Sequence, residues 1–386
     1  MKSQKAGRRA PGAAAAPARA ARRPTVVEVA KLAGVSVGTV SNVLNGASSV
    51  SDARRRRVEK AIATLGYTQN PLAQGLRRQR STMVGLCVPH TTNAYFSALM
   101  NAFEEFASDR GFELMQVLSG QDPQREYARV QALLRYNIGG LILLPTRNPG
   151  RTLDLLAASG TPTVIVDRPV HDDRFDEVSF DNRRAMEEAS RRLVALGHRR
   201  LLFIVRERAL VVSRQRITGL MAAVRGGPGK VTAEVVECAA DEVSVTSCLS
   251  SRFRRQGAPT AVIVSNSVFA ALTLRAFHAL RLDYPGKVSL LAFDSPDWGD
   301  LVTPRLSVVR QPTYAIARKA WEFLIARMTG EATKVQREEL LAEVVIRNAV
   351  VPPGEAACRR LAAPGAGRQR HRPLLSATSR RACAFP

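Results

Sequence analysis

From Thr82 onward, short apolar runs alternate with stretches in which apolar residues recur every three or four positions. MVGLCVP reads as a strand, AYFSALMNAFEEFASDRG as a helix and FELMQVLSG as a strand again. QREYARVQALLRYN then reads as a helix, GGLILLP as a strand, TLDLLAASG as a short helix and PTVIVD as a strand. After a connector around Ser179 the rhythm restarts with AMEEASRRLVALG, RLLFIV, SRQRITGLMAAVRG, AEVVEC, a helix, AVIVSN and another helix. Strands that are apolar throughout are buried on both faces, and helices between them serve as crossovers of a parallel sheet. Two such blocks in succession predict two similar α/β lobes with a cleft between them, a common place for a small ligand.

The chain before Thr82 has a different pattern. In TVVEVAKLAGVSVGTVSNVLNG, Thr25 can cap a helix whose apolar face is Val26, Val29, Ala30 and Ala33. Gly34 suits the positive φ that ends it, and Ser36 caps a second helix bearing Val37, Val40, Val43 and Leu44. Ala30 is small enough for two helix backbones to cross, Val40 can plug the angle between them, and Asn45-Gly46 closes the unit as a turn. A third helix starts at Ser51, with Val58, Ala61, Ile62 and Leu65 on one face. Two short helices joined by a tight turn can lay the second into the major groove of DNA.

Charge sharpens this division. The chain of 386 residues carries a formal net charge of +24, and residues 1–80 hold sixteen Lys/Arg against Glu28, Asp52 and Glu59. Residues 354–386 add seven Arg against Glu355, so the long middle is nearly balanced. A basic end on a balanced body suits a head that binds a polyanion, attached to a ligand-binding or catalytic core. Cys87, Cys238, Cys248, Cys358 and Cys383 are dispersed, with no CxxC or Cys/His metal spacing, as expected of a cytoplasmic protein without disulfides or structural zinc. Residues 1–23 contain only short Ala runs, a poor signal-peptide core, and no run is long enough to span a membrane. There is no GxSxG, glycine-rich phosphate loop, HExxH or Cys/His dyad to support a catalytic reading, and no cofactor or metal is expected.

With these landmarks in order, the chain from about Thr25 to Asn348 resembles the LacI/GalR family of bacterial transcription regulators. AGVSVGTVSNVLNG carries the resemblance in the head. In the core it rests on Asn93-Ala94-Tyr95-Phe96, Asp167-Arg168-Pro169, Leu196-Gly197-His198-Arg199-Arg200, Arg216-Ile217-Thr218-Gly219, Ser265-Asn266, Ala292-Phe293-Asp294 and the run from Pro304 to Pro312.

The resemblance implies an all-α helix-turn-helix head joined by a hinge to a two-lobed α/β core like that of periplasmic sugar-binding proteins, with parallel sheets. It implies a disordered basic arm over 1–23, the DNA-binding domain over 24–69, the hinge over 70–81, the core over 82–350 and a disordered basic tail over 351–386. Lobe 1 would take about 82–180 plus 310–337, and lobe 2 about 181–309 plus 338–350. The implied activity is sequence-specific DNA binding, as a repressor whose affinity for a pseudo-palindromic operator is set by a small effector, a sugar or sugar derivative. Whether that effector induces or corepresses is left open. A homodimer or tetramer is implied, with no membrane partner.

Carried over residue by residue, the DNA contacts would be Thr25, Ser36, Val37, Gly38, Thr39, Ser41, Asn42 and Asn45 in the head, and Asn70, Ala73 and Leu76 in the hinge. Short hydroxyls suit phosphate oxygens, Val37 can meet a thymine methyl, and Leu76 would wedge into the minor groove. Asn42 stands where relatives commonly carry Arg, and Asn pairs best with adenine rather than guanine. The effector residues would be Asn93, Phe96, Asp167, Arg216, Asn266, Asp294 and Gln311. Their polar groups match neighbouring hydroxyls, and an aromatic face matches sugar C–H bonds. Two other readings of the sequence are a transporter's solute-binding protein, which the head opposes, and an architectural DNA-binding protein whose core takes no ligand.

Overall fold

The computed structural model describes residues 24–44, 46–47, 49–67 and 81–354. Expectations for Asn45, Asn70, Ala73 and Leu76, for the arm over 1–23 and for the tail from 355 lie outside these residues. What is described falls into two compact units, a head and a core.

The head contains α1 (Val26–Ala33), α2 (Val37–Leu44) and α3 (Asp52–Leu65), and α1 and α2 are bent by 104° across their turn. Thr25 and Glu28 form a reciprocal capping box at the start of α1, and Gly34 ends it at φ 62°. Ser36 Oγ accepts the Thr39 N–H at 3.1 Å, which caps α2. Val29, Val40 and Val58, one from each helix, are fully buried together, with Ala30 and Ala61 beside them. Small residues at the crossings let three short helices share one core that none could form alone.

The core is built from two sheets with the same strand order. In lobe 1, β1 (Met83–Val88), β2 (Glu113–Leu118), β3 (Gly140–Leu143), β4 (Thr163–Val166) and β5 (Asp176–Phe180) lie parallel in the order β2-β1-β3-β4-β5. The crossover helices are α4 (Ala94–Asp109), α5 (Pro123–Arg135) and α6 (Gly150–Ser159). Lobe 2 repeats this with β6 (Arg200–Val205), β7 (Thr232–Glu237), β8 (Ala261–Val264), β9 (Ser289–Phe293) and β10 (Ser307–Arg310) in the order β7-β6-β8-β9-β10. Its helices are α7 (Asn182–Ala195), α8 (Val211–Arg225), α9 (Glu242–Phe253) and α10 (Ser267–Ala279). β3, β4, β8 and β9 are buried at every position, as their largely apolar sequences require, and so is β5 although it carries Asp176, Glu177 and Ser179, whereas the edge strands β2 and β7 are partly exposed.

The chain passes between the lobes three times. It leaves lobe 1 after β5, returns after β10 to form α11 (Thr313–Thr329) and β11 (Arg337–Leu340), then crosses back to β12 (Glu343–Val345). β11 pairs parallel with β5 and β12 antiparallel with β10, so the last crossing falls at Leu341–Ala342, after the expected 337/338 division. REEL alternates exposed with half-buried positions because it is an edge strand, and it carries no apolar run to mark it. Trp321 of α11 donates to the Phe103 carbonyl of α4 at 3.1 Å, and Arg327 forks onto Asp176 of β5 at 2.7 and 2.8 Å. These bonds hold the returning helix on lobe 1.

Candidate functional site

Each unit presents a candidate site. In the head, α2 offers Gly38 and Asn42 exposed, with Val37, Thr39 and Ser41 half-buried. Val37 also packs against the head core. The Ser36 and Thr39 hydroxyls lie 3.0 Å apart, and the Thr25 hydroxyl is engaged in its capping box with Glu28. The backbone carbonyl of Asn42 accepts from Ala47 at 2.9 Å, and Arg55 of α3 donates to the Ala47 carbonyl at 2.9 Å, pinning the turn that follows α2. The face of α2 that carries Gly38 and Asn42 therefore stands clear, while Val40 and Val43 are buried on the opposite side.

In the core, a cavity of about 410 Å³ opens between the lobes at the C-terminal ends of the strands. In open parallel sheets this is where ligands sit. Asn93, Phe96, Asp167, Arg216, Asn266, Asp294 and Gln311 all line it, and so do Arg168, Arg206, His90 and Tyr95.

The two carboxylates occupy matching places in the two lobes. Asp167 follows β4 at φ 71° and Asp294 follows β9 at φ 74°, a left-handed backbone uncommon outside glycine and often found at functional sites. Asp294 Oδ2 accepts the Ser267 N–H at 2.9 Å, and Oδ1 accepts from Gln311 Nε2. Burial nevertheless raises the Asp294 pKa to about 6, against the opposing pull of the Ser267 N–H and Arg216. Burial also raises Asp167, which lies 3.6 Å from Arg168 Nε and faces the Tyr95 hydroxyl.

Arg216 is held from three sides. Its Nε donates to Asn182 Oδ1 at 2.7 Å, one Nη donates to the Ser265 carbonyl at 2.8 Å, and the guanidinium lies 3.8 Å from the Phe293 ring centre. Burial lowers its pKa to about 10, so it stays charged at neutral pH. Gly219, one turn on, lets α8 approach α7 closely enough for this, since a Cβ there would lie 2.1 Å from the Arg183 carbonyl oxygen.

Asn93 and Asn266 serve both backbone and cavity. Each caps the helix that follows it, Asn93 accepting the Tyr95 N–H at 2.7 Å and Asn266 the Phe269 N–H at 3.0 Å. Both line the cavity, where the Asn93 side chain also bonds to Asp294. Phe96 is largely core, with its ring meeting His90 edge-on at 4.8 Å. His90 Nδ1, Ser265 Oγ and Gln311 Oε1 are buried without hydrogen-bond partners among the described residues. Such groups are costly unless something else completes them.

The sequence reading missed Arg168 and Arg206 as wall residues. Arg168 stands beside Asp167 in a quoted landmark, but only the fold shows it buried, donating to Pro145 O at 2.9 Å and Gln121 Oε1 at 2.8 Å.

Comparison with known proteins matches this geometry. Residues 25–70 match the family described as bacterial regulatory proteins, lacI family, and residues 190–350 match the periplasmic binding protein-like domain. The HTH-type transcriptional regulator PtxS of Pseudomonas putida (strain KT2440) is 31% identical over 341 residues, which cover 87% of this chain and 99% of PtxS. A solved complex of the transcriptional regulator CelR with cellobiose has a TM-score of 0.62 and 27% identity, covering 85% of this chain and 100% of that one. The lac repressor dimer bound to operator and the anti-inducer ONPF shares the fold, with a TM-score of 0.76 at 24% identity over 86% of this chain and 100% of that one.

Proposed function

The chain belongs to the lacI family of bacterial regulatory proteins, and from that premise we propose that it is a repressor whose cleft binds a sugar or sugar derivative. It is a DNA-binding transcriptional regulator with a helix-turn-helix head and a two-lobed α/β core. Two copies, related by a twofold axis, bind a pseudo-palindromic operator through α2. Ser36, Thr39 and Ser41 meet phosphates, while Val37, Gly38 and Asn42 face base edges.

One observation carries the effector reading. Seven residues spread from Asn93 to Gln311 in sequence line one interlobe cavity, where His90 Nδ1, Ser265 Oγ and Gln311 Oε1 are buried without hydrogen-bond partners among the described residues. Its size falls in the roughly 300–1,000 Å³ range of small-molecule pockets. Asp167 and Asp294 accept from neighbouring hydroxyls, Arg216 and the two asparagine amides donate, and Phe96 covers C–H surface. Ligand contacts from both lobes favour one lobe orientation over others, which changes the placement of the heads and hence operator affinity.

A thermal-shift screen of the full chain against pentoses, hexoses and nucleosides tests this. A ligand at 100 times its Kd stabilises by about 2.7 kcal/mol, read as a rise of several degrees in Tm. The expected result is such a rise for at least one sugar, strongly reduced in Asp294→Asn. No rise with any of them, or an equal rise in the variant, contradicts the assignment.

A further inference from the structure

We propose that a second interlobe cavity, adjoining the first, is an anion subsite, and that the effector is a sugar phosphate whose phosphate group sits there. This rests on the reading of the first cavity as the sugar site. The second cavity has a volume of about 640 Å³ and shares Arg168 and Leu210 with the first, so the two adjoin.

Its charged lining is cationic. Arg147, Arg168 and Arg214 face it beside the imidazole of His171, and no carboxylate among the described residues does. Nearby acids answer part of that charge: Glu207 pairs with Arg147 at 2.6 Å, Asp167 lies 3.6 Å from Arg168, and the buried Glu126, whose carboxylate accepts the Thr146 N–H of the cavity wall, also faces Arg168. Arg214 has no ion pair among the described residues and donates to the Ala209 carbonyl at 3.0 Å. Arg168, 5% exposed, stands in the wall between the cavities, and its Nε has no hydrogen-bond partner among the described residues.

The backbone adds to this. Helix α6 begins at Gly150 in the cavity wall, behind Pro149, and has no side-chain cap. Its first N–H groups lack helical partners and carry the positive end of the helix dipole. A Cβ on Gly150 would meet nothing within 4 Å, so no side chain packs over the first residue of α6 on that side. A phosphate monoester brings close to two negative charges and three acceptor oxygens, which suit forked guanidinium donors and backbone N–H groups together.

Calorimetry on the full chain at constant ionic strength tests this with pentose and hexose monophosphates, their parent sugars and the matching sugar acids. At least one sugar phosphate should bind ten or more times more tightly than its parent sugar, with inorganic phosphate competing. Arg147→Gln and Arg214→Gln should each erase most of that preference while the parent sugar still binds. Glu207→Gln removes the partner of Arg147 but keeps the cation, and should preserve the preference. A parent sugar that binds as tightly as its phosphate, with a dependence on Asp294, would retain the sugar site and overturn the anion subsite. A preference for the sugar acid, or a phosphate preference that survives both arginine substitutions, also overturns it. If neither sugars nor their phosphates bind, both readings fall.

Discussion

The guanidinium of Arg216 lies over Phe293, 3.8 Å from its ring centre, and Phe293 is the residue before Asp294. One side chain from α8 thus touches the end of β9, the end of β8 through Ser265 and the start of α7 through Asn182. Arg216→Lys keeps the charge but loses the planar stack and the fork. It should cost about 1–3 kcal/mol, because the Asn182 and Ser265 oxygens lose charged donors. Urea denaturation reads the loss, and the thermal shift produced by sugar should disappear with it. A variant as stable as the parent would show that the three contacts contribute nothing.

Asp294 makes stability pH-dependent in a specific direction. Its folded pKa is raised to about 6 by burial, while an unfolded aspartate titrates near 3.9. The folded state therefore holds the proton more tightly, so this group's contribution is full below about 4 and is lost as pH rises through about 6. The stability of the parent relative to Asp294→Asn should rise by on the order of 2–3 kcal/mol between pH 7 and pH 4. Denaturation at a series of pH values checks this, and a flat difference contradicts it. Arg216, which faces Asp294, does not titrate in that window, and Asp167 is present in both proteins.

Asn42 is exposed, and within the head its backbone carbonyl bonds to Ala47. Asn42→Arg should alter stability by less than about 0.5 kcal/mol. It should change the preferred base at one position in each half-site, toward guanine. Selection from a randomised operator library measures this, and an unchanged preference contradicts a base-facing Asn42.

Two glycines should respond oppositely to alanine. At Gly219 the added Cβ would lie 2.1 Å from a backbone oxygen of α7, so the helices must separate, at a cost of about 1–3 kcal/mol or more. At Gly38 the nearest atom would be Ser36 Oγ at 3.7 Å, and the variant should gain up to about 1 kcal/mol from helix propensity. Thermal denaturation of the two variants decides the signs.

Much of this was legible in the sequence because local signals and tertiary roles coincide. Gly34 ends α1 and Ser36 caps α2 by their own chemistry, and the apolar runs of β3 and β8 can only be interior strands. Asn93 and Asn266 are helix caps first, which places them at strand ends beside the cleft. Arg168 was not legible, because its burial depends on the Pro145 carbonyl and Gln121, contributed by other loops. β11 was hidden by its edge position, where REEL needs no apolar run. The cationic second cavity is equally non-local, since Arg147 and Arg214 come from different lobes.

Cleft and head are coupled if one equilibrium serves both, and linkage then fixes a reciprocal relation. The direct measurement is operator affinity of the full chain with and without the tightest-binding sugar or sugar phosphate, beside the affinity for that ligand with and without operator. The two ratios should be equal and should differ from one by about fivefold or more. A ratio of one in both, with the ligand held in a manner that depends on Asp294, would contradict a cleft that controls DNA binding.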